Sequence, residues 1–134
     1  MGGERVVSLR DRRAAMAKAG ESFPEQEIGV ELIPQVKSGY VVNTTDGTLT
    51  ANSSGRYCDY IPVYPGRSYK CYKYGNRPGY LARYDKDKNF ISGADVGNNN
   101  TGYGCYPSKE IGYRYIRWSG TLGSSGTLSV KRTA

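Results

Sequence analysis

The sequence predicts a mainly β domain, an antiparallel sandwich or barrel, that follows an N-terminal arm. Turn dipeptides such as Asp46-Gly47 and Pro78-Gly79 recur at short intervals after residue 38. The runs between them are β-prone and lack helical periodicity, and they amount to seven or eight short strands. With 134 residues, the chain has enough material for one domain core, so we expect any remaining segment to be an arm.

The composition changes at residue 38, and this change marks the predicted boundary. Residues 1–38 hold six Lys/Arg and six Asp/Glu, whereas residues 39–134 hold thirteen and six. The whole net charge of +7 and all 13 tyrosines therefore lie after residue 38. We assign residues 1–38 to the arm and residues 39–134 to the β domain.

The arm is expected to contain one short helix followed by extended chain. Ser8 and Asp11 form an N-terminal capping pattern, and the alanines that follow favour a helix over about residues 9–19. Pro24 and Pro34 then exclude further helix. This segment has too few apolar residues for a core of its own. It therefore either folds back onto the domain or, as we prefer, orders against a larger assembly. The side chains assigned to docking are Leu9, Arg12, Arg13, Met16, Phe23, Ile28, Val30 and Leu32.

In chain order, the β-prone runs of the domain are YVVN, TLTAN, YCDYIPV, RSYKCYKY, GYLARYD, NFIS, YRYIRWS and TLSVKR. Alternation along an antiparallel strand assigns one face to the core and the other to solvent. The pairs predicted to face the core are Ile61 and Val63, Tyr69 and Cys71, Ile116 and Trp118, and Leu128 and Val130. Since Leu, Ile and Val are few, several tyrosines are expected to help fill the core.

Three separated blocks of the domain form a recognisable pattern: Asp59 to Val63 with Pro65-Gly66 and Tyr69, Tyr84-Asp85 with Asn89 to Ser92, and Tyr115 to Ser119. This pattern resembles a module of tailed-bacteriophage structural proteins. The resemblance covers roughly residues 40–132 and does not include the arm. It implies a jelly-roll-like, carbohydrate-binding-module-like antiparallel β-sandwich carried on baseplates, tail fibres, head fibres or capsids. The shared residues look structural. Pro65-Gly66 fits a turn, and the Asp59 side chain could accept hydrogen bonds from nearby backbone amides.

We expect the binding specificity of this chain to come from the tyrosines and cations between these blocks. The predicted patch is outward-facing, aromatic and cationic, and consists of Lys70, Tyr72, Tyr74, Arg83, Tyr115 and Arg117. Aromatic rings stack on sugars, and tyrosine with arginine also anchors protein interfaces. Three interpretations of the patch remain open. It binds a glycan or anionic cell-wall polymer, it binds an acidic capsid or tail protein, or it is a solvated basic face without a ligand. Nucleic acid is disfavoured because the charge is modest and no nucleic-acid motif is present.

The residue types argue against catalysis and against metal binding. The chain has no histidine, so the common general base is missing, and a domain with six scattered carboxylates has little room for a catalytic pair. Asp85-Lys-Asp87-Lys-Asn89 has the spacing of half a calcium loop, but its lysines oppose a dication and a turn is preferred. We predict no catalytic residues, no metal and no cofactor.

Cysteine spacing and hydropathy predict a protein that folds in a cytoplasm. The resemblance implies that it is then carried on a virion assembled in the host cytoplasm. Cys58, Cys71 and Cys105 are expected to be free thiols, with a Cys71–Cys105 disulfide as the alternative. No apolar run is long enough to enter a membrane, and MGGERVVSLRDRR does not resemble a secretory signal, so the mature chain is expected to start near Met1.

These observations predict a non-enzymatic virion structural protein, a capsid decoration protein or short head fibre, anchored by its arm to other virion proteins. Several copies in each particle are compatible with this prediction. The alternative is a glycan-binding adhesion module of a tail or baseplate accessory protein, with a bacterial surface polysaccharide or mucin-like sugar as ligand.

Overall fold

The computed structural model describes residues 23–74, 77–98 and 102–134. Within these ranges the chain is mainly β, with nine strands and no helix. The strands are β1 (Lys37–Val42), β2 (Leu49–Tyr57), β3 (Ile61–Pro62), β4 (Tyr69–Tyr74), β5 (Gly79–Tyr84), β6 (Phe90–Val96), β7 (Gly102–Cys105), β8 (Tyr115–Thr121) and β9 (Thr127–Arg132). The predicted helix at about 9–19 lies outside the described residues, as do the docking candidates Leu9, Arg12, Arg13 and Met16.

The strands form two antiparallel sheets. The larger sheet has the order β1-β2-β8-β5-β6, with the short β3 also paired to β8. The smaller sheet has the order β7-β4-β9. Strand β7 was not predicted, because the sequence GYGC offers only alternating glycines around Tyr103 and Cys105.

Side chains from both sheets meet in one buried core. Ile116, Trp118 and Leu81 contribute from the larger sheet, and Cys71 and Val130 contribute from the smaller sheet. The predictions for all four inward-facing pairs are confirmed, since each of these eight side chains is buried. Trp118 also connects the sheets, because its Nε1–H donates to the carbonyl of Tyr72 at 2.8 Å.

Three tyrosines help to fill the interior, as the shortage of aliphatic residues predicts. Tyr69 and Tyr113 lie in the main core, and Tyr84 belongs to a second cluster with Val42 and Ala82. Burial raises the pKa of Tyr84 to about 12, and its hydroxyl donates to the carbonyl of Gly47 at 2.6 Å. The second cluster thus ties the β1–β2 loop to β5.

Residues 23–36 pack on the β domain. This part of the arm therefore has the arrangement of the first alternative, in which the arm folds back onto the domain. The backbone N–H of Leu32 donates to the carbonyl of Val130 at 2.8 Å. Ile33 is buried in the main core, and Leu32 packs against it. Phe23 stacks on Tyr64 with ring centroids 4.6 Å apart. Phe23 and Leu32 are thus partly buried against the domain itself, and their docking on a partner stays a prediction.

The remaining two docking candidates in the described part of the arm are exposed. Ile28 is 61% accessible and Val30 is 47% accessible. Both lie beside β9, where Ile28 and Glu31 make isolated bridges to Arg132 and Lys131. The four docking candidates in the described residues thus divide into two that pack on the domain and two that face solvent.

The three cysteines are free and buried. Cys71 and Cys105 face each other across β4 and β7, with their sulfur atoms 3.8 Å apart. The hydrogen bond with Cys105 and burial both raise the pKa of Cys71. Burial likewise raises the pKa of Cys58 to about 12. Cys58 and Cys71 are therefore held protonated, whereas the hydrogen bond with Cys71 lowers the pKa of Cys105. Burial shields all three thiols from reagents in solution.

Candidate binding surfaces

The six residues of the predicted patch do not form one surface. Lys70, Tyr72 and Tyr74 lie on the outer face of the smaller sheet. Tyr115 and Arg117 lie on the outer face of the larger sheet, because their neighbours Ile116 and Trp118 point into the core. Arg83 lies on neither outer face.

On the smaller sheet, three predicted residues do come together. The rings of Tyr72 and Tyr74 stack with their centroids 6.5 Å apart and their planes at 13°. Lys70 places its Nζ 5.5 Å from the centroid of Tyr72. Tyr74 is 51% accessible, so this group offers an exposed aromatic edge beside a cation.

On the larger sheet, Arg117 belongs to a different group with partners that the sequence did not indicate. Its guanidinium carbon lies 4.1 Å from the ring centroid of Tyr60, and one amino group lies 3.5 Å from Asp59. Lys88 also covers the rings of Tyr60 and Tyr115, at 5.1 and 5.3 Å. This face is cationic and aromatic, but its rings are already covered by its own cations.

Asp59 has a role other than the predicted one. Its carboxylate pairs with Lys37 at 2.6 Å and with Arg117, rather than with nearby backbone amides. The hydrogen bond from Lys37 holds the pKa of Asp59 below its usual value, although partial burial opposes the shift. Asp59 therefore links the arm-proximal strand β1 to β8.

Arg83 lies on the inner side of β5, together with the buried Leu81. The alternation of GYLARY contains this signal, since Leu81 and Arg83 are two residues apart and must share a face. Close to the edge of the larger sheet, the Arg83 side chain leaves the core and enters a cleft. The prediction that Arg83 lies on the outer surface is therefore wrong.

The Arg83 cleft opens between the two edge strands β6 and β7 and has a volume of about 470 Å³. This size lies within the roughly 300–1,000 Å³ of small-molecule sites. Strands β5, β6 and β7 and the loop before β8 supply its walls. The lining residues are Arg83, Ser92, Tyr103, Gly104, Tyr106, Ile111 and Tyr113.

Hydrogen bonds hold the Arg83 guanidinium in a fixed position. Nη1 donates to Ser92 Oγ at 3.2 Å, and Nη2 donates to the hydroxyl of Tyr103 at 3.0 Å. Ser92 reaches Arg83 because the two residues are directly paired across β5 and β6. The rings of Tyr103 and Tyr113 lie 5.9 and 5.8 Å from the guanidinium carbon. Burial raises the pKa of Tyr113, so its hydroxyl is neutral at ordinary pH.

Of the residues lining the cleft, sequence reasoning identified only Arg83. Tyr103 and Tyr106 lie on and after the strand that was missed. Tyr113 precedes β8, so strand alternation from Tyr115 does not apply to it. The high exposure of Tyr106 and Ile111, 66% and 54%, depends on how the loop folds and has no signature in the sequence.

Among the described residues, no group of three His, Cys, Asp or Glu side chains is arranged to hold a metal ion. The described part of the chain also contains no helix of the length and hydropathy that crossing a membrane requires. Comparisons with protein-family models, curated proteins and solved structures find no match for this chain. The phage-module resemblance therefore stays a prediction.

Proposed function

We propose that this chain is a non-enzymatic structural protein of a tailed-phage virion, a capsid decoration protein or short head fibre. In this proposal the two sheets form a jelly-roll-like sandwich, displayed outward in several copies. The N-terminal part of the arm, with Leu9, Arg12, Arg13 and Met16, docks on another virion protein. Exposed Ile28 and Val30 extend that docking surface.

The observation that carries the proposal is where the three blocks of the resemblance lie in the fold. The block around Ile61 pairs with β8, with Ile61 opposite Ile116. The block beginning at Tyr84 also meets β8, where Tyr84 is opposite Tyr115. Blocks that are far apart in the sequence are thus neighbours around one strand, as residues of a shared structural module should be.

The turns within these blocks have geometries that suit the residues found there. In Tyr64-Pro65-Gly66-Arg67, Gly66 has φ of 85° and the N–H of Arg67 donates to the carbonyl of Tyr64 at 3.2 Å. These are the features of a type II turn, which favours proline followed by glycine. Asp85 accepts hydrogen bonds from the backbone N–H of Asp87 and Asn89 at 2.8 and 2.9 Å. This role as a turn former supports the reading of the shared residues as structural.

The proposal is tested by the protein content of purified particles of a phage that encodes the chain. Quantitative mass spectrometry should find the chain in a fixed ratio to the major capsid protein. A phage encoding the double variant Leu9→Asp, Met16→Asp should lose the chain from its particles, whereas Glu27→Gln should keep it. Absence of the unsubstituted chain from purified particles would contradict the proposal.

A glycan-binding function is the second candidate, and the Arg83 cleft favours it. The cleft combines a fixed guanidinium with three tyrosines, whose aromatic faces offer contact area for a sugar ring. Such a module would serve adhesion, on a tail or baseplate accessory protein. An array of bacterial surface and mucin-type glycans probed with the full chain would test this candidate. A chain found in particles that binds no glycan would have the structural role alone.

A further inference from the structure

Among the described residues that line the Arg83 cleft, Arg83 carries the one positive charge, and none is Asp or Glu. The two hydrogen bonds to Ser92 and Tyr103 use two of the five N–H donors of the guanidinium. Three N–H donors of the guanidinium therefore have no hydrogen-bond partner among the described residues, and the side chain is only partly buried.

The surroundings of Arg83 increase its strength as an anion receptor. The guanidinium is half-buried and lies beside the rings of Tyr103 and Tyr113. Charge interactions are stronger in such a partly desolvated site than at an open surface. Because Ser92 and Tyr103 already fix the side chain, little rotamer entropy is lost when a ligand binds.

The single charge and its planar geometry favour a carboxylate over a phosphate. A carboxylate carries one negative charge and matches the paired N–H groups of one guanidinium. A phosphate monoester carries about −1.5 to −2 charges at neutral pH, and the described lining residues include no second cation to balance them.

The entrance of the cleft offers apolar contact area for the body of a sugar. Tyr106 and Ile111 are among the most exposed large apolar side chains of the described residues. Tyr106 lies against Gly104, where an added Cβ would sit 2.5 Å from the Tyr106 hydroxyl oxygen. The ring therefore packs over Gly104 and is 66% exposed, which leaves apolar area on which the C–H face of a pyranose can stack.

We propose that the Arg83 cleft binds a carboxylate-bearing sugar, such as a uronic acid unit of a bacterial surface polysaccharide. The carboxylate pairs with Arg83, and the pyranose ring contacts Tyr106 and Ile111 at the entrance. This inference rests on the glycan-binding candidate described above and specifies its ligand class.

The test is a titration of the full chain with sodium glucuronate, followed by protein NMR. Glucuronate should bind with a Kd in the millimolar range, and its methyl ester and glucose should each bind at least tenfold more weakly. Arg83→Met should abolish glucuronate binding. Lys86→Met, which removes a cation from the exposed turn between β5 and β6, should leave the Kd unchanged.

Two further measurements separate loss of glucuronate binding from loss of the fold, and carboxylate recognition from phosphate recognition. Tyr106→Ala changes a side chain that is largely exposed and should weaken glucuronate binding about tenfold in a protein that still folds. Glucose 6-phosphate and inorganic phosphate test the same site with phosphate groups, and both should bind more weakly than glucuronate.

Equal binding of glucose and glucuronate would overturn the inference but leave glycan binding in place. Equal or tighter binding of either phosphate probe would also overturn it, in favour of a general anion site. Failure of the chain to bind any of these sugars, together with no signal on the glycan array, would remove both the inference and the glycan-binding candidate. The particle test of the structural role is independent of all these outcomes.

Discussion

Replacing Glu31 should loosen the contact between the arm and the domain. The Glu31 carboxylate accepts hydrogen bonds from the Ser129 hydroxyl, from the backbone N–H of Val130 at 2.9 Å and from that of Ile33 at 3.0 Å. Two of these donors belong to β9, an edge strand of the smaller sheet. Glu31 therefore pairs polar groups at an edge that would otherwise be open.

The expected loss of folding free energy on replacing Glu31 follows from the number of its hydrogen bonds and from their exposure to water. A hydrogen bond to a charged group contributes about 1.5–3 kcal/mol when it is buried. Glu31 itself is exposed, so water can replace part of what is lost. We expect Glu31→Ala to lower the free energy of unfolding by about 2 kcal/mol, which corresponds to a fall in Tm of roughly 8 °C. Glu31→Gln keeps one oxygen acceptor and should cost about 1 kcal/mol.

The stability that the Glu31 carboxylate contributes should depend on pH in a defined direction. Burial alone would raise the pKa of Glu31, but the hydrogen bonds from Ser129, Val130 and Ile33 together lower it below 4.5. A carboxyl whose pKa is lower in the folded state adds stability above its unfolded pKa and loses it as the pH falls through the folded pKa. The difference between the unsubstituted chain and Glu31→Gln should therefore be full at pH 7 and shrink below about pH 4.5.

Urea unfolding at pH 7 and at several acidic values, followed by tryptophan fluorescence, measures these differences. Trp118 is the single tryptophan of the chain and lies in the core. Glu27→Gln is the matched control, since it removes a carboxylate from an exposed position nearby and should leave stability unchanged. The reasoning fails if Glu31→Ala is as stable as the unsubstituted chain, or if the Glu31→Gln difference is the same at pH 7 and pH 3.

Three further predictions concern the core and the loops. Gly93→Ala should cost about 2 kcal/mol or more, because the new Cβ would sit 2.2 Å from the Thr44 carbonyl oxygen, whereas Gly97→Ala meets open space and should cost almost nothing. Trp118→Phe should cost about 2 kcal/mol in urea unfolding, because it removes the hydrogen bond to Tyr72 and leaves a smaller side chain. A thiol reagent should find no reactive cysteine in the folded chain and all three after unfolding.

Each of these predictions has a clear contradicting result. Equal stability of the two glycine variants would mean that the close approach of the β1–β2 loop to β6 is wrong. Full stability of Trp118→Phe would mean that the indole hydrogen bond does not join the two sheets. A single reactive thiol after unfolding without reductant would indicate the Cys71–Cys105 disulfide instead of free cysteines.

The sequence predicted the buried faces of strands well, because alternation carries that information directly. Ile116 and Trp118 are buried, and Tyr115 and Arg117 lie on the opposite face. Alternation cannot say which sheet a strand joins, however. Lys70 and Arg117 were each assigned correctly to an outer face, yet these faces belong to different sheets.

Contacts between residues distant in the sequence account for what was not predicted. Glu31 and Ser129 are 98 positions apart, and no local pattern relates them. The position of residues 23–36 on the domain depends on such contacts. The same applies to the Arg83 cleft, whose walls come from β5, β6, β7 and a loop.

In the function that we propose, the chain is a structural component of a phage particle. Cryo-electron microscopy of purified particles of a phage that encodes the chain tests this most directly. We expect a two-sheet β domain at regular positions on the head exterior, connected to the shell by density for the N-terminal residues. Particles that lack such density, with the chain recovered only as a free monomer in the lysate, would contradict it.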